Sequence, residues 1–473
     1  MPPPLALFLC TIFVLFLLRL ERRASRDNSP ALWIPTVWML ILASRPLATW
    51  FVDSGDVIRS NEAGSELDRW VLTALALAAM VVLLHRRIDW WGNVRQHKWL
   101  VLLLAYMFLS TFWSAITLIA LRRWTRELIV LVMALVIMSE VNPRQALESV
   151  LRRTAYVLVP FSVVLIKYYP LLGRAYGRFS GVEMWTGVTG QKNHLGRLCM
   201  ISVLFLLWTL YERWRERPRV GGGRYQAWAD VSVIVIALYL LKGSDSSTSM
   251  VTLVLGVVIF LGLRLLRTLQ FQVPLTGLVV LMIFLMTLGT STPFVGGSNV
   301  AAFTPALGRD ETLTGRTGVW ADVLPARNQE PLLGYGVGSF WTDARREHYD
   351  IPTAHNGYLD ILLELGEVGF VFYLLWLLSC TRLLHRALLH DYESGSLAIC
   401  FFLMGLLYNI SESALNTFTE QMTAVMILTC LVASCGIKPR SGSASDPASN
   451  VETCARWRAR ETRPQLTGNI AWR

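Results

Sequence analysis

The chain has 473 residues, of which 53% are hydrophobic and 16% charged, and it carries a formal net charge of +11. That balance excludes two or three ordinary soluble domains and indicates a membrane protein that crosses the bilayer many times. Seven cysteines with no CxxC pair argue for neither a metal module nor a disulfide scaffold.

A hydrocarbon core of roughly 30 Å needs about 20 apolar residues per crossing. Candidate runs lie near 4–18, 31–52, 70–84, 99–121, 127–139, 154–172, 194–211, 229–241, 250–263, 273–290, 358–380, 396–410 and 422–437. The expected fold class is therefore all-α and polytopic, with about 12–13 transmembrane helices. The first run, PLALFLCTIFVLFLL, has no basic residue before it and no small-residue cleavage site after it, and reads as a retained anchor. The chain divides into N-terminal transmembrane helices over 1–290, a large extracytoplasmic loop of short helices over 291–356, C-terminal transmembrane helices over 357–437, and a basic tail over 438–473. The tail's SGSASDPASN and scattered arginines predict disorder.

The placement of the basic residues decides what the charge is for. Alternate loops hold 27 Lys and Arg on one side (19–30, 86–98, 144–153, 213–224, 264–267, 382–386 and the tail) and 14 on the other, while Arg45, Lys167 and Arg197 fall within spans. This is a topology signal rather than a nucleic-acid surface: the positive-inside rule puts the first set in the cytoplasm and the 291–356 loop outside. The outer side nevertheless has arginine clusters. Arg122, Arg123 and Arg126 surround Trp124; Arg178 and Lys192 lie in the 173–193 loop; Arg309 and Arg316 lie in the large loop. Planar, multi-donor guanidinium groups suit phosphate. A single such arginine reads as a headgroup anchor, and three clusters shift the balance toward an anion site.

Several short stretches carry chemistry. GQKNHLG (190–196) precedes an apolar run, so a helix begins near Asn193, with Lys192 beside its first-turn N–H groups. The hydroxyls of Ser246, Ser247, Thr248 and Ser249 open another helix and most simply bond to their own backbone or a neighbouring helix. GYGVGS (334–339) lacks the lysine of a phosphate loop and reads as a turn, after a helix-like piece over Val319 to Leu324. Asn356, Asp360, Glu364 and Glu367 recur at spacings of four, four and three, which on a helix makes one polar stripe. Carboxylates at membrane depth must face protein or a wet cleft. His355 stands at the start of that helix, and an imidazole of ordinary pKa near 6.5 can take a proton from a hydroxyl.

In order and spacing, LSTFWS (109–114) with Arg122 and Arg123, GQKNHLG, the 244–249 helix entry, GRTGVW (315–320), LLGYGVGSF (332–340) and HNGYLDILLELGEVG (355–369) resemble the O-antigen ligase and exopolysaccharide polymerase superfamily of bacterial membrane proteins. QKNHLG is closest to the polymerase branch. The resemblance implies a GT-C-type, inverting glycosyltransferase of the inner membrane that needs no metal and no other cofactor. It would move a glycan from an undecaprenyl-pyrophosphate carrier to a sugar hydroxyl on a glycan or lipid-linked acceptor, within a polysaccharide export or biosynthesis complex. By position, His355 matches the family's outer-loop histidine and Arg316 its pyrophosphate-facing arginine. Arg122, Arg123, Arg178, Lys192 and Arg309 would bind pyrophosphate, and Asn193, Asn356, Asp360 and Glu364 would line the cleft. Many ligases carry an arginine in the Ser/Thr-rich helix entry where this chain has Ser246 and Ser247, and Lys192 or Arg178 would replace that charge. The rival from another class is a transporter or flippase of lipid-linked oligosaccharide, which favours two related halves; the sequence has no repeated motif between its halves. A membrane scaffold for an envelope complex is a third reading.

Overall fold

In a computed structural model, residues 1–50, 65–176, 181, 183–216, 224–270, 275–277, 279–280 and 316–435 are described; the side chains of Glu216, Arg224, Arg316, Thr317 and Ala321 fall outside that description. Residues Met1–Cys435 form one compact unit. Helices dominate it: α1 Pro3–Ala24, α2 Trp33–Leu42, α3 Glu66–His85, α4 Trp90–Gln96, α5 Lys98–Ser110, α6 Thr117–Met138 and α7 Pro143–Tyr168. After the single turn α8 (Pro170–Gly173) come a hairpin of β1 (Arg174–Tyr176) and β2 (Glu183–Trp185), then α9 Lys192–Glu216, α10 Arg224–Ser244 and α11 Ser247–Thr268. The remaining helices are α12 Arg316–Gln329, α13 Asp343–Tyr349, α14 Gly357–His390, α15 Tyr392–Tyr408 and α16 Gln421–Ser434.

Seven of the described helices (α1, α3, α7, α9, α10, α11 and α14) are long and apolar enough to cross a bilayer, and shorter apolar helices occur at 30–42, 98–113, 392–408 and 421–434. The protein is thus an all-α, polytopic membrane protein. The expected run at 273–290 and the expected tail lie almost wholly outside the described residues. Two expected spans have other boundaries. The 31–52 run is α-helical only to Leu42, and Pro46, which lacks the N–H that would continue the ladder, precedes a short 3-10 turn at Leu47–Trp50. The 99–121 run stops at Ser110, and a tight turn through LSTFWS sends the chain into α6 at Thr117, which absorbs the run expected to begin at 127.

Burial is graded across the bundle. The apolar windows of α7 and α9 are 83% and 78% buried, against 22% for α1 and 17% for α3. On α1, Leu5, Phe8, Ile12 and Phe16 are exposed, as a lipid-facing helix requires, since hydrocarbon solvates leucine as well as protein does. The inner helices approach closely through small residues. A Cβ at Gly196 of α9 would lie 2.6 Å from Ser246 Cβ, and one at Gly256 of α11 would lie 2.4 Å from Met404 Sδ of α15. The hairpin docks its Trp185 ring on Gly243, where no side chain fits.

Ion pairs keep the two polar ends of the bundle separate. Arg153–Glu21 (2.7 Å), Arg86–Glu140 (2.8 Å), Arg144–Asp391 (3.1 Å) and Arg264–Glu212 (2.9 Å) join loops of the strongly basic set. Lys192–Asp245 (3.7 Å), Arg197–Glu420 (2.5 Å) and Arg327–Glu367 (3.0 Å) belong to the other end. Arg45 is not in a helix. It donates to the carbonyls of Leu172 and Gly187 (2.7 Å for the latter) and stacks 4.8 Å from the Trp50 ring, so it pins the 172–188 segment.

Candidate active site

Where α14 begins, three segments distant in sequence meet. Asn356 caps the helix by accepting from the Tyr358 and Leu359 amides at 3.0 and 3.2 Å. His355, one residue earlier, has a φ of 51°, in the left-handed region that costs a non-glycine residue energy. The Gly357 amide donates to the carbonyls of Asn409 (3.0 Å) and Glu412 (3.2 Å), locking the entry of α14 to the turn after α15. Asn409 holds that turn by accepting the Ala414 and Leu415 amides on Oδ1 at 2.9 and 2.6 Å.

The turn delivers a buried carboxylate. Glu412 is 8% exposed; its Oε1 accepts from Asn193 Nδ2 at 2.9 Å and its Oε2 lies 3.8 Å from His355 Nδ1. The first contact is a hydrogen bond, and the second is electrostatic at that distance. Asn193 comes from the first turn of α9, so GQKNHLG and the histidine are linked through Glu412. Lys192, the first residue of that helix, reaches Asp245 beside the Ser/Thr-rich entry of α11. The hydroxyls of that entry serve packing: Ser246 donates to Ser249 at 3.0 Å, and Thr248 pairs with Ser411 at 3.1 Å.

The polar stripe of α14 is occupied by protein donors. Asp360 Oδ1 accepts from Trp341 Nε1 (2.7 Å) and the Ala354 amide (3.2 Å), and Glu364 Oε2 accepts from the Gly338 amide (3.0 Å). Both carboxylates are buried, while Glu367 at the end of the stripe pairs with Arg327 at a half-exposed position. The stripe thus fastens the outer loop: Asp360 holds the residues leading to His355, and Glu364 holds the glycine-rich turn. Gly366 interrupts the helix with φ 65° and ψ −169°, a conformation essentially restricted to glycine. Into the break dock the Glu367 and Val368 amides on the Pro331 and Leu332 carbonyls, and the Tyr335 and Gly336 amides on the Leu363 and Glu364 carbonyls.

GYGVGS is a turn whose other side meets LSTFWS. The Val337 amide donates to Ser110 Oγ at 3.0 Å, and Ser114 and Ser339 share a hydroxyl contact of 2.6 Å. Arg123 donates to the Gly338 carbonyl. Trp320 of α12 donates to the Ala354 carbonyl at 2.9 Å, and Val323, Phe340, Trp341, Leu359 and Leu363 make a small apolar core beneath.

His355, Asn193 and Asn356 are therefore brought together, with Lys192 on the same α9 turn as Asn193. Arg123 belongs to the neighbouring GYGVGS contact, and Arg122 is exposed on α6. Arg316 begins α12, and its side chain lies outside the described residues, as do Arg178 and Arg309 altogether. Sequence reasoning missed Glu412, Asn409, Asp245 and Glu420. The available signal was the SESALNTFTEQ loop, whose two glutamates have no basic neighbour in sequence and so had to find partners elsewhere.

Residues 232–374 match the O-antigen ligase family, a stretch that includes the Ser/Thr-rich entry, GRTGVW, the glycine-rich turn and His355. The exopolysaccharide production protein ExoQ of Rhizobium meliloti is 25% identical over 294 residues, which is 59% of this chain and 63% of that protein. The chain thus spans less than two thirds of the length of this curated relative. In a chain with membrane-length apolar helices, residues 232–374 are thus similar to the O-antigen ligase family, and the chain is similar to a protein of exopolysaccharide production.

Proposed function

We propose that the protein is an inner-membrane glycosyltransferase that moves a glycan from an undecaprenyl-pyrophosphate carrier to a sugar hydroxyl, as a polymerase or ligase of a surface or secreted polysaccharide. The observation that carries this reading is the convergence of His355, Glu412 and Asn193 from three segments at the end of the bundle that the charge rule places outside. In the reaction, the bond between the donor's anomeric carbon and the pyrophosphate oxygen breaks as the acceptor oxygen bonds to the opposite face of that carbon. The acceptor proton passes to His355, and the configuration inverts. Glu412 orients the ring through its Nδ1 side and serves as counter-charge to the imidazolium that forms. Asn193 holds Glu412 in place.

The leaving pyrophosphate gains charge in the transition state. Arg316 is its chief partner in this reading, with Lys192, Arg122, Arg123, Arg178 and Arg309 as the surrounding cations. Fixed guanidinium groups in a water-poor site stabilise such charge without having to reorganise. The acceptor is a glycan or a lipid-linked sugar, and membrane lipids and other polysaccharide-assembly proteins are the surrounding partners.

The test uses purified protein in liposomes with a lipid-pyrophosphate-linked donor. Lengthening of the carrier-linked chain, or transfer to an added acceptor, is the expected result. Arg316→Ala and His355→Ala should abolish it while membrane insertion persists. Movement of intact donor across the bilayer without any new glycosidic bond would overturn the proposal in favour of transport. In cells lacking the protein, single repeat units left on the acceptor would mark a polymerase, and accumulation of long carrier-linked chains would mark a ligase.

A further inference from the structure

The basic end of the bundle holds a feature that the transfer reaction does not use. Where α1 runs out, a cavity of about 870 Å³ opens between that helix, the corner leading into α2, and α7. Leu15, Leu18, Arg19, Arg22, Arg23 and Arg26 line one wall. The spacing of three and four residues puts those from Leu15 to Arg23 on one helical face, leucines first and arginines after, and Arg26 follows in the turn beyond the helix end. Trp33 and Arg153 close the far side.

Much of the other charge at this end is paired, although Arg87, Arg95, Arg382 and Arg386 have no ion pair among the described residues. Arg86, Arg144, Arg152, Arg153, Arg213, Arg215 and Arg264 each have a carboxylate partner. Arg19, Arg22, Arg23 and Arg26 have none among the described residues. Glu21, the acid within the arginine run, points the other way and is buried against Arg153. Four exposed guanidinium groups gathered at one cavity make a local positive field that attracts anions.

Farther along the seam of the same three helices lies a separate, apolar cavity. This second cavity, of about 450 Å³, lies along α2 and α7, lined by Val37, Leu40, Ile41, Val157, Phe161 and others and almost devoid of polar surface. Along α2 the lining passes from Trp33 at the basic cavity to Val37 and Ile41, one helical turn at a time, and along α7 it passes from Arg153 to Val157 and Phe161. The seam is cationic at one end and hydrocarbon-like toward the other, which is the polarity of a membrane lipid with a phosphate head.

We propose that this seam binds an anionic glycerophospholipid, its phosphate among Arg19, Arg22, Arg23 and Arg26 and its acyl chains along α1, α2 and α7. Guanidinium forks match phosphate oxygens in bidentate geometry, and a basic pocket between membrane helices favours anionic headgroups. The cavity holds a lipid of the surrounding bilayer, stabilises the loosely packed α1 against the core, and lies at the opposite end of the bundle from His355.

Native mass spectrometry of the full-length protein in detergent tests this, with phosphatidylglycerol, phosphatidylcholine, undecaprenyl phosphate and inorganic phosphate as separate probes. Wild type should retain phosphatidylglycerol over phosphatidylcholine. The R19Q/R22Q/R23Q/R26Q variant should lose that retention by about tenfold, the scale expected for removing headgroup contacts of this kind. Leu15→Trp with Leu18→Trp fills the cavity without changing charge and should lower retention similarly, which covers the case of a misfolded arginine variant. Arg382→Gln with Arg386→Gln removes exposed charge at the same end and should change nothing. Equal retention of the two phospholipids, or unchanged retention in both cavity variants, would overturn the proposal. So would displacement of the bound phosphatidylglycerol by equimolar inorganic phosphate or undecaprenyl phosphate, which would reassign the cavity to a free anion or to the carrier.

Discussion

Both polar ends of the bundle hold ion pairs, Arg197–Glu420 at the less basic one among them, but the two ends weight carboxylate and backbone partners differently. At the basic end, buried arginines meet carboxylates: Arg153 with Glu21, Arg144 with Asp391, Arg264 with Glu212. At the other end, Arg45 and Arg123 meet backbone carbonyls, Asp360 and Glu364 meet amide and indole donors, and Glu412 is shared between an asparagine and a histidine. Pairing of opposite charges fixes helix ends at modest net gain, because desolvation offsets much of the attraction. Side chains that hold backbone instead build loops of defined shape, and a defined shape is what a site requires. Charge counts therefore distinguish the two ends, whereas the partners of each charged group show how each end is built.

The largest expected effect that sharpens this contrast is His355→Ala. Loss of a general base costs about 10²- to 10⁴-fold in rate, so polymer formation should vanish in complementation and in the liposome assay, with the protein still inserted. Next is Gly366→Ala. A Cβ there would lie 2.3 Å from the Leu332 carbonyl oxygen in a conformation other residues avoid, so a cost of about 1–3 kcal/mol is expected and should appear as a lowered melting temperature in detergent. Normal stability for that variant would contradict the break described in α14.

Glu412→Gln comes third. Because glutamine keeps the shape but not the counter-charge, the rate should fall by about tenfold, roughly 1.4 kcal/mol, and the pH profile of the rate should shift. A purely structural Glu412 would leave the pH profile in place, and Asn193→Ala should reproduce a weaker form of the same change.

The smallest effect concerns Glu140, in the turn between α6 and α7 at the basic end. Burial pushes its carboxyl up, but the Ser29 hydroxyl and amide and the Arg86 guanidinium outweigh this and hold it below the usual carboxylate range. A depressed value in the folded state contributes stability that is present above the usual carboxylate range and is lost as the pH falls through the lowered value. Thermal unfolding followed from neutral to acid pH should show that loss in wild type and a flatter curve in Glu140→Gln, with activity at neutral pH unchanged. A Glu140→Gln variant that lost transfer while staying folded would break the separation of the two ends.

Much of this was legible beforehand where local rules act alone. The start of α9 at Lys192, the entry of α11 at Ser246–Ser247 and the stripe of α14 follow from capping and periodicity. The stripe's partners did not follow, because nothing near Glu364 in sequence announces that the Gly338 amide will be its donor. Gly366 and Gly369 lie only three residues apart, and the structure gives them different roles. Gly366 breaks the helix, whereas Gly369 is helical and sits where a Cβ would be 2.8 Å from the Tyr106 ring. Glu412 was illegible because it matters only once α15 carries its loop back to His355, a contact between residues far apart in the chain.

The break at Gly366 has one more consequence, for exchanging parts between relatives. The segment 331–339 is bonded on one side to α14 at 363–368 and on the other to Ser110, Ser114 and Arg123, while Asp360 ties 341 and 354 to the same helix. In the proposed transferase, any substrate choice made by the 331–354 segment is thus not a detachable cassette. A chimera that imports the loop alone would inherit mismatched seats, and a working graft would have to carry 331–369 together with the 110–123 turn as one piece.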